Sequence, residues 1–356
     1  MKIDQACPAC NTNAGERKQD NSSASVFPLT LDSGIGSIIP LRPMKIIPST
    51  ALTLLLLAML GSSLAFAQPK NLQTFKEDAV FSWDNPPGEW TLQKLPSTLR
   101  HATFESPSMG LKVGYYIYLP KGYELPKNAR RQYPVVYHLH GGRPGSEKKS
   151  ISLSSFVDRA IASKVILPTI YVFPNGGPMS WYNYPQKRNG LGEDVLIKEL
   201  IPHVDATYRT FGTRGKRALE GFSQGGRGTT RIMFKYPGLF GSVAPGGSGY
   251  EPEMRIRDNR GAESDKVRFE PGNDAWTLAR KFAVRSQAPR PPILLWVGSK
   301  GFNYEYNLKY SAYLRKLGLD HQLLVIPDAP HSARIIYEKQ GVELMKFHQR
   351  NFASGK

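Results

Sequence analysis

Ser223 stands in Gly221-Phe222-Ser223-Gln224-Gly225, a G-x-S-x-G arrangement that follows a short apolar run and precedes a helical pattern. A hydroxyl held at the tip of so tight a strand-to-helix turn can attack an acyl carbon, and the flanking glycines let the backbone pass close by. The five residues alone also fit a serine in an ordinary helix-start turn. What separates the readings is a base, because a serine hydroxyl attacks an ester only when its proton is taken. Of the seven histidines, His331 lies after the apolar run "QLLVI" and before the last helical pattern, where the base of such a site follows in chain order. A histidine there can also serve as a plain helix cap. His138 and His140 belong to the run leading into Gly141-Gly142, His203 reads as a structural helix residue, and His101, His321 and His348 read as superficial.

Acyl transfer builds an oxyanion, and each preorganised donor aimed at it is worth about 3 kcal/mol in the transition state. Two donors are expected: the backbone N–H of Gln224 and that of Gly142 or its neighbour in "LHGGRPG". No G-K-[ST] follows those glycines, so they do not read as a phosphate cradle. No H-E-x-x-H is present either, and neither a metal nor a cofactor is expected. In "NGGPMSWYNYPQ", Trp181, Tyr182 and Tyr184 are expected to overhang the cleft and bind substrate, unless the loop simply packs.

Elements to position these groups are legible along the chain. "HATFESPSMGLKVGYYIYLPKGY" gives two strands about a Pro-Ser-Met-Gly turn. "YPVVYHLHGG" and "ILPTIYVFPNGG" read as strands buried on both faces, and "GSVAPGG", "PPILLWVGS" and "HQLLVIPDAP" follow them. Helical patterns fall between: "SLSSFVDRAIASKVI", "GEDVLIKELIPHVDATYRTF" with its dividing proline, "SQGGRGTTRIMFKYPGLF", "YEYNLKYSAYLRKLG" and "SARIIYEKQGVELMKFHQRNF". Alternation of this kind predicts an α/β fold with a mostly parallel central sheet and helices on both faces. Sites then collect at the carboxyl ends of the strands, where the glycine-rich turns lie.

The chain has 356 residues and a formal net charge of +18. Its Lys and Arg are dispersed, with no long basic stripe, so a specific nucleic-acid partner is not expected. From Met44, "MKIIPSTALTLLLLAMLGSSLAFAQ" reads as a secretory signal over residues 44–67, cut before Gln68, with an apolar core too short to span a bilayer. A periplasmic or secreted protein without stable membrane insertion is therefore expected. Residues 1–43 read as a non-native or disordered N-terminal extension. They hold Cys7 and Cys10 in "CPAC", to which no role is assigned. Residues 68–100 read as an irregular leader with at most one edge strand, and residues 101–352 as one domain. Oligomeric state is left open.

From His101 to Phe352 the chain resembles the esterase D branch of the α/β-hydrolases, a group with feruloyl and acetyl-xylan esterases, S-formylglutathione hydrolases, siderophore esterases and mycolyltransferases. The resemblance rests on "YYIYLPKGY", "YPVVYHLHGG", "ELIPHVDATYRT", "ALEGFSQGGRGTTRIMFKYPGLFGSVAPGGSG", "GSKGFNYEYNLKYSAYLRKLG" and "PHS", in that order. It implies a serine esterase with Ser223 as nucleophile and His331 as base, and the expected export fits esters of carbohydrate or cell-envelope origin. One position departs from the family pattern: Gly301 stands where the triad aspartate is usual. Glu305 is the expected substitute and Asp328 the second choice, although an acid at a helix start also serves the helix dipole. Two alternatives stand beside hydrolysis: acyl transfer by the same mechanism and, favoured by the missing aspartate, a carbohydrate-binding or scaffold protein that kept the fold.

Overall fold

The computed structural model describes residues 81–88, 95–184, 189–250, 272–285 and 287–354. All lie within the compact unit Pro69–Lys356; the other unit, Met1–Gln68, holds the expected signal and "CPAC" and lies outside the described residues.

Eight strands form one sheet: β1 (Leu99–Ser106), β2 (Leu111–Tyr118), β3 (Val135–Leu139), β4 (Ile170–Pro174), β5 (Arg217–Phe222), β6 (Ser242–Gly246), β7 (Leu294–Lys300) and β8 (Gln322–Pro330). Their spatial order is β1-β2-β4-β3-β5-β6-β7-β8. β2 runs antiparallel to β1 and β4, and the pairs from β4 through β8 are parallel. This is the mostly parallel sheet anticipated from the strand and helix alternation, and the α/β-hydrolase architecture that the family resemblance implies. Every residue of β3, β4, β5 and β6 is buried, which is why these segments read as continuous apolar runs.

The pleat sends alternate side chains to opposite faces. Val113, Tyr115 and Ile117 of β2 join Val135, Tyr137 and Leu139 of β3 in one core, while Tyr116, Tyr118 and Val136 enter the other. Full burial of one such aliphatic or aromatic side chain stabilises by about 1.5–3 kcal/mol.

The helices are α1 (Ser154–Ala162), α2 (Ile201–Thr207), α3 (Gln224–Lys235), α4 (Ala275–Ala283), α5 (Tyr304–Lys316) and α6 (Ala333–Ser354). Pro202 enters α2 in its first turn, where a missing N–H is harmless, and a wider π-helical segment, Val195–Leu200, precedes it. Between Phe81 and Thr98 no strand occurs among the described residues, and the rest of the expected leader, 68–80 and 89–94, lies outside them. Among the described residues no helix is long and apolar enough to cross a membrane.

Behind β5 lies a buried polar cluster that the sequence does not suggest. The Glu220 carboxylate accepts from His138 Nδ1 at 2.7 Å and from the Tyr337 hydroxyl, with His348 Nε2 3.4 Å from its second oxygen. Burial pushes the Glu220 carboxyl up, but hydrogen bonds from His138 and His348 outweigh it and hold the group well below the carboxylate range. His348, expected at the surface, is 1% exposed and its Nδ1 is 2.8 Å from Ser242 Oγ. The physical reason is the internal carboxylate it faces, from a strand more than a hundred residues earlier. His101 is likewise largely buried, in a carboxylate cluster treated below.

Candidate active site

Ser223 lies between the end of β5 and the start of α3 with φ 60° and ψ −113°, a conformation that L-residues rarely adopt. Its surroundings hold it there. The Ser223 N–H donates to Gly246 O at 2.9 Å, and its carbonyl accepts from Arg227 N at 3.0 Å. A Cβ on Gly221 would stand 2.5 Å from Gly225 O, and one on Gly225 would collide with the carbonyl oxygen of Leu139. The turn is therefore closed to any side chain at either glycine, which presents the hydroxyl at the sheet's carboxyl edge.

His331 follows β8 directly and comes before α6, and its Nε2 is 3.0 Å from Ser223 Oγ. Its ring lies between two phenylalanines, Phe222 with a centroid 4.5 Å away and Phe302 at 4.2 Å. Among the described residues, its Nδ1 faces Asn303, whose Oδ1 is 3.2 Å away. Asn303 is buried, and its Nδ2 donates to Gly247 O, so the amide must present oxygen to the imidazole. His331 then carries its proton on Nδ1 and turns the Nε2 lone pair toward the serine. That is the tautomer a general base requires.

The two acids expected to orient His331 are not brought to it. Glu305 sits exposed on the first turn of α5, and Asp328 is exposed with its N–H donating to Ser299 Oγ at 2.9 Å. Among the described residues no hydrogen bond joins either carboxylate to the imidazole. Gly301 does lie beside the site: a Cβ there would be 3.4 Å from Asn303 Oδ1 and 3.8 Å from His331 Cα. An asparagine just before a helix reads as its cap, yet Asn303 makes no capping bond with its side chain. That local ambiguity hid the residue.

The "HGGRPG" loop passes over the nucleophile. A Cβ on Gly141 would come within 3.0 Å of Ser223 Cβ, and Gly142 takes φ 70° while its carbonyl accepts from Ser180 Oγ at 2.6 Å. Gln224 opens α3, so its N–H belongs to the unpaired first turn beside the serine. His140 shapes the loop from within. Its Nε2 accepts from Gly176 N at 3.1 Å and Ser146 N at 3.3 Å, while Nδ1 donates to Gly141 O at 3.1 Å. Burial, reinforced by the Lys149 charge, pushes this imidazole down to about 3, so it stays neutral and serves as a backbone acceptor.

The aromatic loop differs from expectation. Trp181 is 0% exposed and takes φ 72°; its indole N–H donates to His140 O at 3.0 Å, and its ring occupies the space left by the absent side chain of Gly228. Tyr182 is also buried, with the Arg231 guanidinium 3.8 Å over its ring, and Arg231 pairs with Glu193 at 3.0 Å. Neither ring is available to a substrate, because a buried indole N–H and a buried guanidinium each claimed a partner inside. Tyr184 is half-buried, and burial raises its phenol. The exposed aromatic surface at the base is Phe302, 79% exposed, which the sequence reading passed over.

A serine on a strained strand-to-helix turn with a tautomer-locked histidine at hydrogen-bond distance places the molecule among the serine hydrolases of the α/β-hydrolase fold. Comparison with known proteins narrows the class: the chain belongs to the family described as Putative esterase, which it matches over residues 106–321. It is similar to Esterase Rv1288 of Mycobacterium tuberculosis, 32% identical over 146 residues, 40% of this chain and 30% of that protein. It is similar also to the Endo-1,4-beta-xylanase/feruloyl esterase of Xylanibacter ruminicola, 32% identical over 172 residues, 45% of this chain and 23% of that one. The chain thus spans under a third of the length of these curated relatives. Among solved structures, a ferulic acid esterase superimposes with TM-score 0.60 at 21% identity, covering 71% of this chain and 97% of the other. FphF, a fluorophosphonate-binding serine hydrolase of Staphylococcus aureus, gives 0.58 at 19% identity, covering 71% and 98%. These likenesses show the fold.

Proposed function

We propose that the protein is a carboxylic-ester hydrolase working through an acyl-enzyme on Ser223, exported to the periplasm or beyond, with esters of carbohydrate or cell-envelope origin as substrates. The observation that carries this reading is the 3.0 Å approach of His331 Nε2 to Ser223 Oγ. As Oγ bonds the ester carbonyl carbon, its proton passes to Nε2, and the oxyanion is held by the Gln224 N–H and the Gly141-Gly142 loop. Collapse of the tetrahedral intermediate breaks the bond to the alcohol, which leaves with the proton from Nε2. Water then repeats the sequence and frees the acid. Asn303 Oδ1 accepts a hydrogen bond from Nδ1–H throughout and keeps the ring aimed.

For the substrate, the naming of relatives as feruloyl esterases supports an aryl or sugar ester, and the open face of Phe302 beside the imidazole gives an aromatic acyl group a surface to lie on. Export rests on the signal over residues 44–67.

Three measurements test this. A fluorophosphonate probe should label the parent and not Ser223→Ala; an unlabelled parent removes the hydrolase reading. Feruloyl, acetyl and short acyl esters compared in parent and Phe302→Ala should show the aryl preference fall by about tenfold, the order expected of one stacking contact. Mass analysis of the exported protein should place its N-terminus near Gln68, and retention of "CPAC" would overturn the export assignment.

A further inference from the structure

Away from the catalytic serine, three donor atoms converge on one spot. His101 Nε2, from β1, lies 3.3 Å from Glu147 Oε1 and 3.4 Å from Asp84 Oδ1. All three atoms fall within 4.8 Å of one another. The point they face lies over Gly114 of β2, where a Cβ would stand 2.5 Å from Glu147 Oε1 and 3.0 Å from both Asp84 Oδ1 and His101 Nε2. Any other residue there would fill the space between the donors. Asp84 Oδ1 is itself buried and has no hydrogen-bond partner, an expensive condition for a carboxylate oxygen unless something cationic meets it.

We propose that Asp84, His101 and Glu147 form a binding site for one divalent ion of the Zn2+ or Mn2+ type. One imidazole nitrogen with two carboxylates suits such ions better than Ca2+ or Mg2+, which favour all-oxygen sets, and the two carboxylates match a charge of +2. The spacing fits as well. Tetrahedral bonds of about 2.0–2.1 Å put neighbouring ligand atoms about 3.3–3.4 Å apart, the separation found from His101 to each carboxylate. Outer partners are in place: Glu147 Oε2 accepts from Asn175 Nδ2 at 2.9 Å and Asn85 Nδ2 at 3.0 Å, and Oε1 accepts from Asn85 N at 2.5 Å. With its side chain 0% exposed, Glu147 has one position to occupy.

The site would join three pieces of chain: the leader at Asp84, the β1–β2 hairpin, and the residue that follows the Gly141–Ser146 loop over the nucleophile. An ion there fastens the far end of the oxyanion loop.

The test uses the full chain with Cys7→Ser and Cys10→Ser, so that thiols cannot take the metal. After dialysis against a chelator, Zn2+ and Mn2+ are titrated with calorimetry, Mn2+ also by electron paramagnetic resonance, and thermal unfolding is followed with and without each ion. One equivalent should bind and raise the unfolding temperature, and Asp84→Asn and His101→Gln should each weaken binding at least tenfold. Absence of saturable binding to the folded parent would overturn the proposal, as would binding undiminished in both variants. The parent titration decides even if one variant folds poorly, and circular dichroism identifies that case.

Discussion

The turns that follow β5 and β7 both deliver groups to the same catalytic point, yet they are specified by different means. After β5 the geometry is set by the backbone: glycines pressed on carbonyls, an N–H bonded to Gly246, and a serine at φ 60°. After β7 the described residues contribute a side chain, the Asn303 amide, held at its far end by the Gly247 carbonyl. A backbone-defined site cannot shift along the chain without refolding the turn. A side-chain acceptor can, because any residue whose oxygen reaches Nδ1 will serve, and here the acceptor stands at position 303 rather than at Gly301.

Substitutions can break this contrast or sharpen it. The largest effect is expected from Ser223→Ala, which should lower turnover by about four orders of magnitude or more while leaving the fold intact, as read by ester hydrolysis and circular dichroism. Next, Asn303→Ala should cost about a hundredfold in kcat with little change in KM, whereas Asn303→Asp should retain most activity because a carboxylate oxygen also accepts from Nδ1. The comparison sharpens if Gly301→Asp, placed on the Asn303→Ala background, restores activity from the neighbouring position; a double variant no better than Asn303→Ala would show that the acceptor's place is as rigid as the serine's.

A smaller effect concerns pH. His140 is neutral when folded, with its imidazole pushed from 6.5 down to about 3, so the unfolded chain binds a proton that the native chain refuses between those values. Stability should be full above about 6.5 and decline as pH falls toward about 3. Denaturant midpoints measured across that window should fall less steeply in His140→Gln, though the variant begins less stable. The smallest effect is expected from Glu305→Gln, whose turnover should stay within about twofold of the parent because its carboxylate is exposed and unbonded to His331.

Much of this was readable in the chain. Ser223 and its glycines obey a local steric rule, and His331 follows from chain order, so both are visible without a structure. The strand segments are visible because burial on both faces leaves unbroken apolar runs. What escaped detection depends on partners far away. Asn303 before a helix looks like a cap, Trp181 in a long loop looks free to meet a ligand, and His348 on a mostly polar helix looks solvated. Each is decided by a group from another element: His331, His140 and Glu220. Only the folded sheet brings those together.

The mooring of Glu220 to Tyr337 and His348 has a consequence for the order in which the molecule is completed. The strand that carries the nucleophile leans on the terminal helix, so a nascent chain still lacking that helix leaves a carboxylate facing an open hydrophobic wall. Hydrolytic activity should therefore emerge only after α6 has been synthesised and has docked on β5, and truncation upstream of Tyr337 should abolish soluble expression rather than merely slow the enzyme.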